Sequence, residues 1–278
     1  MQQMFQFSFI IEEGEEREIL IARLESLGFE GFEEREKDLL AYIKKPEEAM
    51  ISLENKLKEI DKIYSVSIVE DKNWNEIWES GFQPVTINDL EGNPFVHLRA
   101  EFHPVNGEVP FELVITPRMS FGTGHHATTS LMISSMRELD FTGKKVLDFG
   151  TGTGVLAILA EKLGATSVLA IDNDEWSIKN AGENIRENNC HEGRIILENA
   201  ALIPENQKFD IILANINLNI ILENLERMFL KLVPGGNILL SGLLEQDEST
   251  ILNKIPECFR PKVLVRKLNG WLVIRVAA

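Results

Sequence analysis

The densest chemistry in the chain lies in Val146-Leu147-Asp148-Phe149-Gly150-Thr151-Gly152-Thr153-Gly154. Glycine accepts backbone conformations closed to other residues and leaves no Cβ between the main chain and a ligand. Three alternating glycines after an apolar run therefore mark a sharp strand-to-helix turn that a small molecule can approach. The spacing is GxGxG rather than the GxGxxG that suits a pyrophosphate. Asp148, two residues before the first glycine, offers an acid to a ligand ammonium, directly or through water. A second acid, Asp172, ends the next apolar run, where a carboxylate can accept hydrogen bonds from both hydroxyls of an adenosine ribose. Together these features predict a nucleoside-ligand site; a merely tight turn is the structural alternative.

Two other segments carry candidate groups. Phe121-Gly122-Thr123-Gly124-His125-His126-Ala127-Thr128-Thr129 holds two glycines, two histidines and two hydroxyls suited to capping a helix or touching a ligand. Adjacent histidines invite a metal reading, but no H-E-x-x-H spacing or cysteine partner accompanies them, so no metal is expected. His97, His103 and His191 belong to no constellation. Farther on, Ala214-Asn215-Ile216-Asn217 places a polar amide just past an apolar run. The Asn215 amide oxygen can accept a hydrogen bond from an amine; it can equally cap the following helix, a role open to Asn217 as well.

These groups need a scaffold, and from residue 143 strands and helices alternate as in an α/β sheet. Strands are expected at 145–149, 167–171, 194–198, 210–216 and 237–242. Helices are expected at 154–163, 175–188, 218–232 and 245–255, the third stopping at Pro234-Gly235-Gly236. Two last strands, 261–267 and 271–276, flank Asn269-Gly270, a strong hairpin signal. The spacing thus predicts a Rossmann-like, mostly parallel sheet closed by an antiparallel hairpin. Shorter strands near 95–101 and 111–116 lead into it.

Ahead of this domain the periodicity differs. Phe5, Phe7 and Phe9 alternate with polar residues, Leu20, Leu24 and Leu27 follow helical spacing to Gly28, and strands are expected at 29–34 and 38–43. A second helix carries Met50, Leu53, Leu57 and Ile60, and Tyr64, Val66 and Ile68 form a closing strand. This order predicts a small ferredoxin-like α+β domain over residues 1–70. Residues 71–93 are a linker carrying Trp74 and Trp78, and 94–278 form the ligand-binding domain.

Composition narrows the partners. The 278 residues hold 28 Lys plus Arg against 44 Asp plus Glu, a net charge of −16. Residues 1–70 alone contain 9 basic and 17 acidic side chains, a balance of −8. Such a surface disfavours phosphate backbones and favours a basic protein. No apolar run approaches the length of a membrane span, and the apolar start lacks the basic residues and cleavage site of a secretion signal. Only two cysteines occur, Cys190 and Cys258, without metal spacing. A cytoplasmic protein is expected.

Taken together, these motifs resemble the ribosomal protein L11 methyltransferase family, PrmA, over nearly the whole chain. FGTGHHATT, residues 121–129, is similar to that family's FGTGxHxTT; VLDFGTGTGVLAI, residues 146–158, resembles its cofactor motif. Ile171-Asp172 and Asn215-Ile216 match its acidic second-strand end and its Asn-Ile pair. The resemblance implies that Thr129, Gly150, Asp172 and Asn215 contact S-adenosylmethionine, with Phe121, Gly152 and Gly154 lining the site. It also implies that lysine side-chain and N-terminal amines of a basic large-subunit ribosomal protein are methylated, with residues 1–70 holding the substrate and the enzyme a monomer. Asn217 stands where the family commonly has Leu, Thr153 where Ser is common, and Asn173-Asp174 where Asp-Pro is usual. Rival expectations are a methyltransferase for RNA or a small molecule, a nicotinamide-dependent oxidoreductase, and a non-catalytic binding module.

Overall fold

The computed structural model describes the chain apart from residues 1, 12–14, 30, 36–37, 47–49, 58–59, 61, 70–82, 117–121, 123, 192, 257–261 and 278. Trp74, Trp78, Phe121, Thr123 and Cys258 therefore lie outside the described residues. The chain divides into two units, Met1–Ile77 and Trp78–Ala278.

In the first unit, alternating phenylalanines build β1 (Gln2–Ile10), and the chain continues through α1 (Glu15–Ser26), β2 (Gly31–Glu34), β3 (Asp38–Pro46), α2 (Met50–Leu57) and β4 (Tyr64–Val69). The strands pair in the order β2-β3-β1-β4, every pair antiparallel, which is the expected ferredoxin-like sandwich. Phe5, Phe7 and Phe9 share one core with Leu20, Leu24, Leu53 and Leu57. The strand expected from residue 29 starts at Gly31 instead. Gly28 takes φ +92°, and the Phe29 N–H donates to the Leu24 carbonyl at 3.1 Å, so Phe29 closes the end of α1 and buries its ring there.

The second unit opens with a small sheet of β5 (Val85–Asn88), β6 (Pro94–Arg99) and β7 (Phe111–Val114). Residues 85–93, expected in the linker, are thus strand and turn of this unit, because β5 pairs with β6. After α3 (Ala127–Met136) comes the large sheet: β8 (Lys145–Phe149), α4 (Val155–Lys162), β9 (Ser167–Asp172), α5 (Glu175–Glu187), β10 (Ile195–Asn199), β11 (Phe209–Asn215), α6 (Leu218–Lys231) and β12 (Leu232–Leu244). A short α7 (Glu248–Leu252) and the hairpin β13 (Lys262–Leu268) and β14 (Trp271–Ala277) complete it.

The sheet order is β10-β9-β8-β11-β12-β14-β13, parallel from β10 to β12 and antiparallel thereafter. Successive residues of its central strands feed opposite cores: Val146, Ile211 and Leu213 on one face, Leu147, Ile212 and Ala214 on the other. Burial on both faces explains why these strands are continuously apolar. The hairpin turns at Asn269 (φ +51°) and Gly270 (φ +80°) with Leu268 opposite Trp271, as that dipeptide predicts.

Two boundaries differ from expectation. Pro234-Gly235-Gly236 does not separate helix from strand. It lies inside β12, where pairing with β11 jumps from Phe209↔Leu232 to Ile211↔Asn237. Gly236 is packed so closely that a Cβ there would sit 2.8 Å from the Asp210 carbonyl oxygen. The helix expected over 245–255 shortens to one 3-10 turn, Glu245–Asp247, and α7.

Candidate active site

The chain runs outward from β8 through β9 and β10, then returns to place β11 and β12 on the other side. Strand order therefore reverses between β8 and β11, and a crevice forms at their carboxyl ends. A cavity of about 690 Å³ lies there, lined by Gly150 and Gly152 after β8, Asp172 at the end of β9, and Asn215 at the end of β11. Four of the site residues expected from sequence are thus brought together.

Backbone hydrogen bonds shape the glycine turn. The N–H groups of Gly150 and Thr151 both donate to the Ile171 carbonyl, at 2.8 and 3.0 Å. The Gly152 N–H donates to Asp172 Oδ2 at 2.9 Å, and the Asp174 N–H to Oδ1 at 3.0 Å. Asp172 is held by two backbone donors and keeps further lone pairs for a ligand. Gly154, also expected to line the site, does not reach the cavity. It caps α4 in the left-handed region, its Cβ position 3.2 Å from Ala181 Cβ.

Asp148 is wholly buried and does not line the cavity, so it offers no surface for direct contact with a ligand ammonium. Its Oδ2 accepts a hydrogen bond from the Thr151 hydroxyl at 2.6 Å. Burial pushes its carboxyl up to about 7, the negative charge of Asp172 adding to the rise while the Thr151 hydroxyl and the Ala157 N–H oppose it.

At the far wall, the alternatives for the two asparagines separate. Asn217 caps α6, accepting the Ile220 N–H at 3.1 Å. Asn215 is free of that duty; it faces the cavity, and its buried amide oxygen has no hydrogen-bond partner within the protein. In the first turn of α3, Thr128 lines the cavity, whereas Thr129 is fully buried behind it with its hydroxyl unpartnered. His126 is the cap of α3, and its ring meets the edge of Trp271 at 4.6 Å between centroids. Among the described residues no cluster of metal-ligating side chains occurs.

Sequence reasoning overlooked several residues here. Trp271, Gly242, Glu223 and Asn224 line the cavity from β14, β12 and α6. Asn184, on α5 and completely buried, donates to the Thr153 carbonyl at 2.8 Å and accepts the Thr116 N–H at 2.9 Å. The Thr153 hydroxyl in turn donates to the Gly122 carbonyl at 2.8 Å, which ties the FGTG loop to the glycine turn. Asn180, Asn184 and Asn188 recur every fourth residue, the one local signal that could have singled out Asn184.

A sheet of this order, with an acid-terminated second strand beside a GxGxG turn at the switch point, defines a class I methyltransferase. The model of the ribosomal protein L11 methyltransferase family (PrmA) matches residues 7–278, and the chain belongs to that family. A relative from Porphyromonas gingivalis named ribosomal protein L11 methyltransferase is 41% identical over 265 residues, 93% of this chain and 89% of its own length. Another of that name, from Chlorobaculum tepidum, is 40% identical over 83% of this chain and 82% of its own. The crystal structure of a ribosomal protein L11 methylase from Lactobacillus delbrueckii subsp. bulgaricus matches with a TM-score of 0.57 and 28% identity, covering 65% of this chain and 93% of that one. The protein is a methyltransferase whose methyl donor is S-adenosylmethionine. No helix among the described residues is long and apolar enough to cross a membrane.

Proposed function

We propose that this enzyme methylates lysine side-chain and N-terminal amines of ribosomal protein L11, with Asn215 receiving the acceptor amine. One observation carries the reading: Asn215 lines the cavity that Asp172 also bounds, and its buried amide oxygen has no hydrogen-bond partner within the protein. An unpaired buried acceptor costs stability unless a ligand donor satisfies it. The names of the relatives supply the substrate.

The residues present fit the methyl donor. Asp172 retains lone pairs for two ribose hydroxyls, and Phe149, Leu202 and Ile216 give the cavity apolar walls suited to a nucleobase. Gly150 and Gly152 line the crevice, and the family resemblance adds Phe121 and Thr129 as further contacts of the methyl donor. When bound, S-adenosylmethionine supplies an electrophilic methyl on a positively charged sulfur. The protein's own work is alignment, since proximity and orientation account for much of such a displacement. A lysine amine has an unperturbed pKa near 10.4 and must enter neutral. Desolvation in the crevice favours that form. Asn215 then orients the neutral amine by accepting one of its N–H groups, and no dedicated general base is required. Residues 1–70 present the substrate, their acidic surface suiting a basic protein and not RNA. The enzyme acts as a monomer in the cytoplasm.

Purified protein given labelled S-adenosylmethionine and separated ribosomal proteins or ribosomal RNA tests this directly. Label in L11, with mass increments at lysine and N-terminal residues, is expected; label confined to RNA overturns the substrate. Asn215→Ala is expected to lower methyl transfer at least tenfold with donor affinity little changed. Unaltered transfer and unaltered affinity would overturn its role.

A further inference from the structure

Resting on the reading of Asn215 above, we propose that Gly242 is a positioning residue for the acceptor site, acting through the backbone of Ile216. Between Leu240↔Ile274 and Leu243↔Leu272 the pairing of β12 with β14 slips by one residue, so Ser241 and Gly242 form a bulge. Gly242 takes φ +82° there. The Ser241 hydroxyl donates to the Leu272 carbonyl at 2.9 Å, and the Ser241 carbonyl accepts the Ile216 N–H at 3.2 Å. The bulge thereby brings Gly242 against the first residue after Asn215.

The contact is closer than a side chain permits. A Cβ on Gly242 would lie 2.2 Å from the Ile216 carbonyl oxygen, 2.8 Å from its carbonyl carbon and 3.0 Å from its nitrogen. On the opposite flank, a Cβ on Gly150 would lie 2.2 Å from Ile216 Cγ2. Ile216 is therefore gripped twice, its backbone by Gly242 and its side chain over Gly150. Asn217, bound to Ile220, anchors the chain on the other side. The Asn215 amide is consequently held by a backbone with little room to move. A methyl at position 242 must push the Ile216 peptide aside by roughly 1 Å to restore ordinary contact, and a misplacement of that size can cost about a hundredfold in rate.

The test uses full-length enzyme, S-adenosylmethionine with L11 as acceptor, and S-adenosylhomocysteine as calorimetric probe. Gly242→Ala is expected to lower kcat about a hundredfold while the S-adenosylhomocysteine Kd shifts less than fivefold. Adding Ile216→Ala should not restore kcat, because the clash is with backbone. Gly143→Ala controls for strain, since Gly143 also has positive φ (+74°) but nothing lies within 4 Å of its Cβ position. It should lower Tm and leave kcat unchanged. Should Gly242→Ala fail to fold, Ile216→Ala alone tests the grip through Gly150, with an expected tenfold loss of kcat at nearly constant Kd. The proposal is overturned if Gly242→Ala, or Ile216→Ala in its stead, keeps kcat within threefold of wild type. Loss of kcat and probe affinity in equal proportion overturns it too, as does recovery in the double variant. Wild-type enzyme that fails to bind the probe would sink the methyltransferase reading itself, a separate outcome.

Discussion

Asp148 and Thr151 form a closed pair beneath the glycine turn, the threonine hydroxyl donating to a carboxyl that water does not reach. Burial lifts that carboxyl to about 7, well above its value in an unfolded chain. Between roughly pH 4 and 7 the folded state therefore holds a proton that the unfolded state has lost. Stability then falls as pH rises through this window and levels off above it, by about 1.4 kcal/mol per pH unit from this one group. Asp148→Asn removes the ionisation. The Tm of this variant relative to wild type should climb from pH 5 to about pH 7 and level off above it; a pH-independent difference would contradict the assignment.

Asp172→Ala should weaken S-adenosylhomocysteine about a hundredfold or more, since charge-assisted hydrogen bonds contribute about 1.5–3 kcal/mol each. It also frees the N–H groups of Gly152 and Asp174, so the ligand-free protein should melt earlier. Calorimetry and thermal melts measure the two effects separately. Undiminished affinity would remove Asp172 from the site.

Asn184→Leu leaves the Thr153 carbonyl and the Thr116 N–H without their partner. Orphaning buried polar groups costs about 1–3 kcal/mol each, so a loss of about 2 kcal/mol or more is expected in urea unfolding. Donor affinity should fall too, because Thr153 carries the Gly122 contact. A midpoint equal to wild type would show that the bridge contributes nothing.

S-adenosylhomocysteine at a hundred times its Kd should stabilise the protein by about 2.7 kcal/mol. A nicotinamide dinucleotide at the same concentration should leave Tm unmoved. The reverse pattern would favour the oxidoreductase alternative.

How much of this was legible beforehand follows the range of the interactions concerned. The glycine turn, the acid ending β9 and the Asn269-Gly270 hairpin were readable because each is fixed by neighbours within a few residues. Alternating phenylalanines and continuously apolar strands likewise announced a one-sided sheet and a two-sided one. The start of β2 was misplaced because Phe29 is strand-like in type but is spent on closing the end of α1.

Sequence by itself thus determined the two-domain α/β plan, the chemistry of the nucleoside crevice and the family's motifs. Tertiary structure alone decided that Thr128 rather than Thr129 faces the cavity, that Asn217 takes the capping duty and leaves Asn215 unpaired, and that Asp148 is sealed off. It also decided that Gly242 and Gly150 close on Ile216 and that Asn184 joins Thr116 to the glycine turn. The reason is physical. Local pattern dictates what a residue does along its own strand or helix. Which distant backbone it meets depends on the order in which strands pair and on bulges that no spacing announces.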